Sequence, residues 1–306
     1  MSLFSRAVVT TMPLVPKAVV GKVASRYVAG ESLEDAVRTI RRLNAEGSVA
    51  TVDVLGEEVS ERDKAHAAVV EYVRVLDAIQ AEGLTANASI KLTMLGLKID
   101  RDFCRDNVAS IAEAAARHGN FVRLDMEDHT TIDGTLGIYH ELQPRLGNLG
   151  VVFQSYMRRT LSDIEALPVR GANVRLCKGI YIEPRRVAWK GYDVVRSNFV
   201  NALAKMIRRG VYAAIATHDE YLVCAAQGLI DEHRVPRDRY EFQMLLGVDE
   251  PLRRILVAEG HTVRVYVPFG RDWYPYSMRR LRENPEVARH VMRATLGLSG
   301  NSGGRR

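Results

Sequence analysis

The 306-residue sequence predicts an α/β fold: a distorted (βα)8 barrel of the TIM type with extra N-terminal helices. Three observations carry this. Eight short runs rich in Val, Ile, Leu, Phe or Tyr recur along the chain, as expected of strands buried on both faces. Segments of helical periodicity lie between them, which implies parallel pairing and right-handed crossovers. The length suits one barrel of about 250 residues with added helices.

The elements follow in order. A helix is predicted over 32–44, with Ser32 as its N-cap and Asp35 three residues on. The predicted strands are 49–54, 86–92, 121–126, 150–154, 173–176, 212–216, 240–244 and 262–267. Helices are predicted over 58–81, where Val69, Val70, Val73, Leu76 and Ile79 share a face, and over 105–118, 198–209 and 249–259. A last helix is predicted over 285–296. Residues 1–296 read as one barrel unit with a helical extension at 1–48, and 297–306 as a disordered tail. An open doubly wound sheet would carry a glycine-rich phosphate turn, and none is present.

Composition narrows the function classes. The formal charge is +6, from 43 basic and 37 acidic residues interleaved along the chain, which reads as a solvated surface without a nucleic-acid footprint. Cys104, Cys177 and Cys224 are odd in number and far apart, so neither a disulfide framework nor a zinc site is expected, and a reducing compartment is the default. No signal peptide or membrane span is evident. The expected location is the cytoplasm, with peripheral contact on the inner face of the membrane as the open alternative.

Chemistry in such a barrel sits where strands end at their carboxyl side. Polar residues recur there: Lys91; Asp125 with Met126 and Glu127; Gln154; Arg175 through Lys178 and Gly179; Thr217, His218 and Asp219; Glu241 and Gln243; and Tyr266. Taken singly, most have ordinary roles: Asp125 as a helix cap, His218 as a cap neighbour, Lys91 as a solvated strand end. Arg175 inside an apolar strand is harder to dismiss, because a buried guanidinium needs partners. Gathered at one rim, they point to a polar ligand site. Beyond the eighth strand, Tyr276, Arg279, Arg280 and Glu283 fall on one side of a helix, and paired guanidinium forks suit a carboxylate.

The segments Ser89–Gly96, Val122–Glu127, Val174–Tyr181, Ala216–Asp219, Tyr240–Gly247 and Tyr276–Pro285, in this order, resemble the proline dehydrogenase family, in its compact bacterial form without a fused aldehyde dehydrogenase. The resemblance implies non-covalent FAD over the strand ends, oxidation of L-proline to 1-pyrroline-5-carboxylate, and transfer of the electrons to a membrane quinone. It implies that a separate pyrroline-5-carboxylate dehydrogenase acts downstream. It assigns Arg279, Arg280 and Lys91 to the substrate carboxylate, and Tyr181, Tyr266 and Tyr276 to the pocket wall. Asp125 would hold Lys91 and the pocket in place, and Arg175 would lie near the flavin N5 edge. Met126, Gln154, Lys178, Gly179, Ile180, Thr217 and His218 would contact the flavin. Cys177 and Ile180 depart from the family pattern only as apolar exchanges.

Three rivals share parts of this pattern. A methylenetetrahydrofolate reductase shares the flavin barrel but has no use for the double arginine. A Schiff-base aldolase would use Lys91 or Lys178 as nucleophile and leave Arg175 idle. A basic binding protein would have no cofactor.

Overall fold

Eight parallel strands close on themselves in sequence order, β1 to β8, in a computed structural model that describes residues 25–168, 171–274 and Ser277. The strands are β1 (Val49–Val54), β2 (Ala86–Lys91), β3 (Val122–Asp125), β4 (Leu149–Gln154), β5 (Asn173–Cys177), β6 (Tyr212–Ala216), β7 (Tyr240–Leu245) and β8 (Val263–Phe269). β8 closes the barrel on β1 over a continuous register from Val49 opposite Arg264 to Val54 opposite Phe269. The helices are α1 (Leu33–Ala45), α2 (Arg62–Ala81), α3 (Arg101–Arg117), α4 (Ile132–Leu146), α5 (Thr160–Ala166), α6 (Tyr192–Arg208), α7 (Glu220–Glu232) and α8 (Glu250–Ala258).

The predicted (βα)8 class and all eight strands are observed, with ends within two residues of expectation. α1 starts at the expected cap: the Ser32 hydroxyl accepts from Asp35 N while Asp35 returns a bond to Ser32 N. The sequence reading gave no bounds for α4, α5 or α7 and started α6 six residues late. The predicted helix at 285–296, the tail and most of the N-terminal extension lie outside the described residues.

Strand residues alternate in chemistry. One parity is apolar, as in Ala50, Val52, Ala88, Ile90, Val122, Leu124, Val174 and Leu176, and these are buried in the main hydrophobic core. The other parity is polar yet equally buried: Thr51, Asp53, Ser89, Lys91, Arg123, Asp125, Arg175, Glu241 and Gln243. Arg123 and Arg175 of this set meet partners on strands that are not neighbours, so this parity projects into the barrel interior. The usual barrel interior is filled by branched apolar residues. Here it is filled by ion pairs.

The lower part of this interior is densely bonded, with Arg123 Nε and Thr51 Oγ1 left buried without a partner. Arg123 is 1% exposed and donates to the carbonyls of Val151 and Asn173 and to Asn173 Oδ1. Gly150 on β4 makes this possible, because a Cβ there would lie 2.6 Å from Arg123 Nη1 and 2.5 Å from the Phe121 ring. Burial, followed by the charge of Arg175, pushes the Arg123 guanidinium down to about 9. Arg264 donates to both oxygens of Glu241 and to the carbonyl of Ala50, tying β8 to β7 and β1. Burial alone would raise the Glu241 carboxyl, but Arg264 outweighs it and holds it below the usual range. Among the described residues no helix is long and apolar enough to cross a membrane.

Candidate active site

A cavity of about 1000 Å³ opens at the carboxyl ends of the strands. Twelve of the fifteen sequence-predicted site residues line it: Lys91, Asp125, Met126, Gln154, Arg175, Lys178, Gly179, Ile180, Tyr181, Thr217, His218 and Tyr266. The other three, Tyr276, Arg279 and Arg280, lie outside the described residues, as does Glu283.

Arg175 sits at the centre of the cavity floor. Its Nε donates to Gln243 Oε1 at 2.5 Å, and its Nη1 donates to Asp125 Oδ1 at 2.6 Å and to Ser89 Oγ at 3.2 Å. Ser89 in turn donates to Asp125 Oδ1 at 2.7 Å. β5 therefore reaches β7 on one side and β3 and β2 on the other through a single guanidinium. Its remaining nitrogen, Nη2, is buried without a hydrogen-bond partner. A buried donor left unmade costs about 1–3 kcal/mol, so the geometry favours an acceptor arriving from the cavity.

Gln154 presents the complementary case. Its Nε2 donates to the carbonyls of Met126 and Glu127 at 3.0 and 3.1 Å, which fixes the amide. Oε1 is then buried without a partner on a cavity-lining residue. His218 Nε2 accepts from Leu245 N at 2.9 Å, so the neutral ring carries its proton on Nδ1. Thr217 Oγ1 accepts from Asp219 N at 3.1 Å and turns the chain into α7.

The partner of Lys91 differs from expectation. Its ammonium donates to Asp53 Oδ1 at 2.5 Å, and Asp125 reaches it only through Tyr266, whose hydroxyl is 3.4 Å from Lys91 Nζ and donates to Asp125 Oδ2 at 3.3 Å. Burial opposes charge on Lys91, but Asp53 and Asp125 outweigh it and raise the ammonium above the usual lysine value. A Schiff-base nucleophile must be a free amine, so this environment works against the aldolase reading of Lys91.

On the opposite side of the cavity, Asp219, one of the rim residues read from the sequence, is an acceptor hub. Lys178 Nζ, Tyr192 Oη and Arg196 Nε all donate to its Oδ2, at 3.0, 3.0 and 2.8 Å, and Arg196 Nη2 donates to Oδ1 at 2.7 Å. Burial acts to raise this carboxyl, but the bonds from Arg196, Lys178 and Tyr192 hold it well below the usual aspartate range. The Arg196 guanidinium lies over the rings of Tyr192 and Tyr221, at 4.3 and 4.9 Å from their centroids. This wall of cations and aromatic faces suits a ligand that is anionic in one part and flat in another.

Gly179 shapes the loop between these two sides. Its φ is +106°, and a Cβ would lie 2.3 Å from the Tyr156 ring. Glu183, almost fully buried, then accepts from His129 N at 2.7 Å and anchors the loop that carries Ile180 and Tyr181.

The unsatisfied Arg175 Nη2 and Gln154 Oε1 offer one donor and one acceptor to a flat heteroaromatic edge, and Lys178 and Arg196 offer positive charge to an anionic group.

A family model described as Proline dehydrogenase matches residues 36–293. Proline dehydrogenase 1 of Bacillus subtilis subsp. natto is 36% identical over 273 residues, covering 89% of this chain and 90% of that protein. Proline dehydrogenase of Deinococcus radiodurans is 36% identical over 278 residues, with the same coverage. Among solved structures, proline utilization A (PutA) from Bdellovibrio bacteriovorus inactivated by N-propargylglycine superposes with a TM-score of 0.80 at 21% identity, which speaks to the fold. The match takes in 91% of this chain and 34% of that longer protein.

Proposed function

The chain belongs to the proline dehydrogenase family, and from that membership and the cavity chemistry we propose FAD-dependent oxidation of L-proline to 1-pyrroline-5-carboxylate. When bound, non-covalent FAD would supply the two-electron acceptor, at flavin N5, for a hydride from proline C5, and a membrane quinone would then take the electrons. The carrying observation is Arg175, clamped by Gln243 and Asp125 with one buried donor unsatisfied at the cavity floor. A fixed guanidinium at the flavin edge stabilises negative charge as it develops and needs no reorganisation to do so. Gln154 and Met126 support the same edge, while Lys178, Gly179, Ile180, Thr217 and His218 hold the rest of the cofactor.

Lys91, Tyr266 and Tyr181 face the substrate, and the family resemblance gives Arg279 and Arg280 to its carboxylate and Tyr276 to its ring. Their task is orientation, because the C5 hydrogen must point at N5. A ring at position 276 leaves little room for a hydroxyl on the pyrrolidine, so proline is preferred to 4-hydroxyproline. The product passes to a separate pyrroline-5-carboxylate dehydrogenase. The protein works in the cytoplasm, in peripheral contact with the inner face of the membrane that holds the quinone.

The test is optical. Purified protein should show a flavin spectrum that L-proline bleaches without oxygen and that quinone in liposomes restores. A colourless protein that does not take up FAD, or a flavin that proline leaves oxidised, rejects the proposal.

A further inference from the structure

We propose that Asp53, at the inward parity of β1, is a positioning residue of the site that acts through Lys91. The observation is geometric. Asp53 is 0% exposed and Lys91 6%, and the two meet at 2.5 Å inside the barrel. The register sets Asp53 opposite Ser89 on β2, one inward position below Lys91 on the same strand. From there the carboxylate reaches up to the ammonium and fixes where its remaining protons point. Tyr266 is the next neighbour, at 3.4 Å from Nζ.

The charge balance gives the pair its function. The groups facing Lys91 are Asp53 on β1, Asp125 and Glu127 at the end of β3 and Tyr266 on β8, with Arg175 of β5 behind Asp125. Arg175 is bonded to Asp125, so Asp53 is the carboxylate that neutralises Lys91 directly. Lys91 thereby stays an ammonium in a buried place that would otherwise strip its proton. It offers the substrate a directed hydrogen bond and little net charge. This rests on the proposed proline oxidation, but the state of Lys91 can be read separately.

The test uses full-length parent, Asp53→Asn, Lys91→Met and the double variant, with bound flavin measured. kcat and KM for L-proline are followed across pH, and Lys91 is labelled by reductive methylation with formaldehyde and a borane, read by mass spectrometry. Asp53→Asn should lose about tenfold or more in kcat/KM. Its alkaline limb and the pH of half-labelling at Lys91 should both move down. In the Lys91→Met background the same change should add no further loss, as for residues acting as one unit. Parent-like kinetics, an unmoved labelling midpoint, or an equal loss in both backgrounds would overturn the assignment; the last would make Asp53 merely structural. Should Asp53→Asn fail to fold, the parent decides: half-labelling of Lys91 below the ordinary lysine range refutes the proposal. A parent that proline does not bleach rejects the proposed function and leaves the labelling comparison in force.

Discussion

Gly179→Ala isolates one close contact at the cavity wall. At φ +106° any residue with a Cβ is strained, by about 1–3 kcal/mol. The added carbon would also lie 2.3 Å from two carbons of the Tyr156 ring, where about 3.5–4.0 Å is normal. The ring cannot give way cheaply. Tyr156 is 8% exposed, and its backbone N–H donates to the carbonyl of Lys178 at 2.9 Å, so moving one moves the other. Overpacking of this kind costs about 1–3 kcal/mol. The total is about 2–6 kcal/mol. Gly119→Ala is the control: its φ of +61° is also left-handed, but nothing lies within 4 Å of the added carbon. It should lose the backbone part alone. The assay is guanidinium unfolding of both variants beside the parent, with flavin retained per chain measured on the same samples. Gly179→Ala should unfold at clearly lower denaturant than Gly119→Ala and retain less flavin, because Lys178 and Ile180 flank it on the cavity wall. Equal midpoints for the two variants would refute the contact argument.

Three further outcomes are expected. Arg175→Met should destabilise the fold by about 3–5 kcal/mol, since it leaves Asp125 buried beside Ser89 without its cation; thermal unfolding would show this, and Arg175→Met with Asp125→Asn should regain part of the loss. Asp219→Asn removes a carboxylate whose folded-state pKa is depressed, so its stabilisation is complete above the ordinary aspartate value and fades as pH falls below about 4. The difference in denaturation midpoint between parent and variant should therefore be flat near neutrality and shrink in acid; a gap that widens in acid would contradict the sign. Arg279→Lys or Arg280→Lys should raise KM for proline far more than it lowers flavin content, because lysine loses the bidentate fork; steady-state kinetics beside the flavin absorbance decide it.

The strands were legible because their helix-facing parity is apolar throughout, as in Val122 and Leu124 or Val174 and Leu176. α4 was hidden by composition: Gly134, Gly137 and Pro144 lower its helical signal, yet both glycines make room for Leu97 and Arg101 packed across them. The first turn of α6 was hidden because its order comes from Arg196 and Tyr192 bonding Asp219 on another element, which no local pattern records. The rim residues could be read because polar groups at strand ends break an apolar run. Asp53 breaks such a run too, between Val52 and Val54, and inward parity with Thr51 was the signal that could have found it. What no spacing could give was the pairing, which set Lys91 on Asp53 and left Asp125 to Arg175.

That pairing constrains how a carboxylate substrate can be held. The cavity floor carries two cations, Lys91 and Arg175, and each already faces a buried carboxylate within 2.6 Å. A third carboxylate arriving there would meet nearly cancelled charge and would lose its water in exchange for hydrogen bonds alone. Desolvating an anion without a compensating cation is unfavourable by several kcal/mol. The floor is therefore suited to aligning a ligand and poorly suited to capturing its charge. Capture must come from cations outside the floor, and on the proposed reading Lys178 and Arg196, which share Asp219 on the far wall, serve the cofactor. On the proposed reading this task falls to Arg279 and Arg280, where the sequence offers two guanidinium groups together. Orientation from the barrel and charge from the segment beyond it would then be separate contributions, which is why lysine at 279 or 280 should weaken proline binding while leaving the flavin in place.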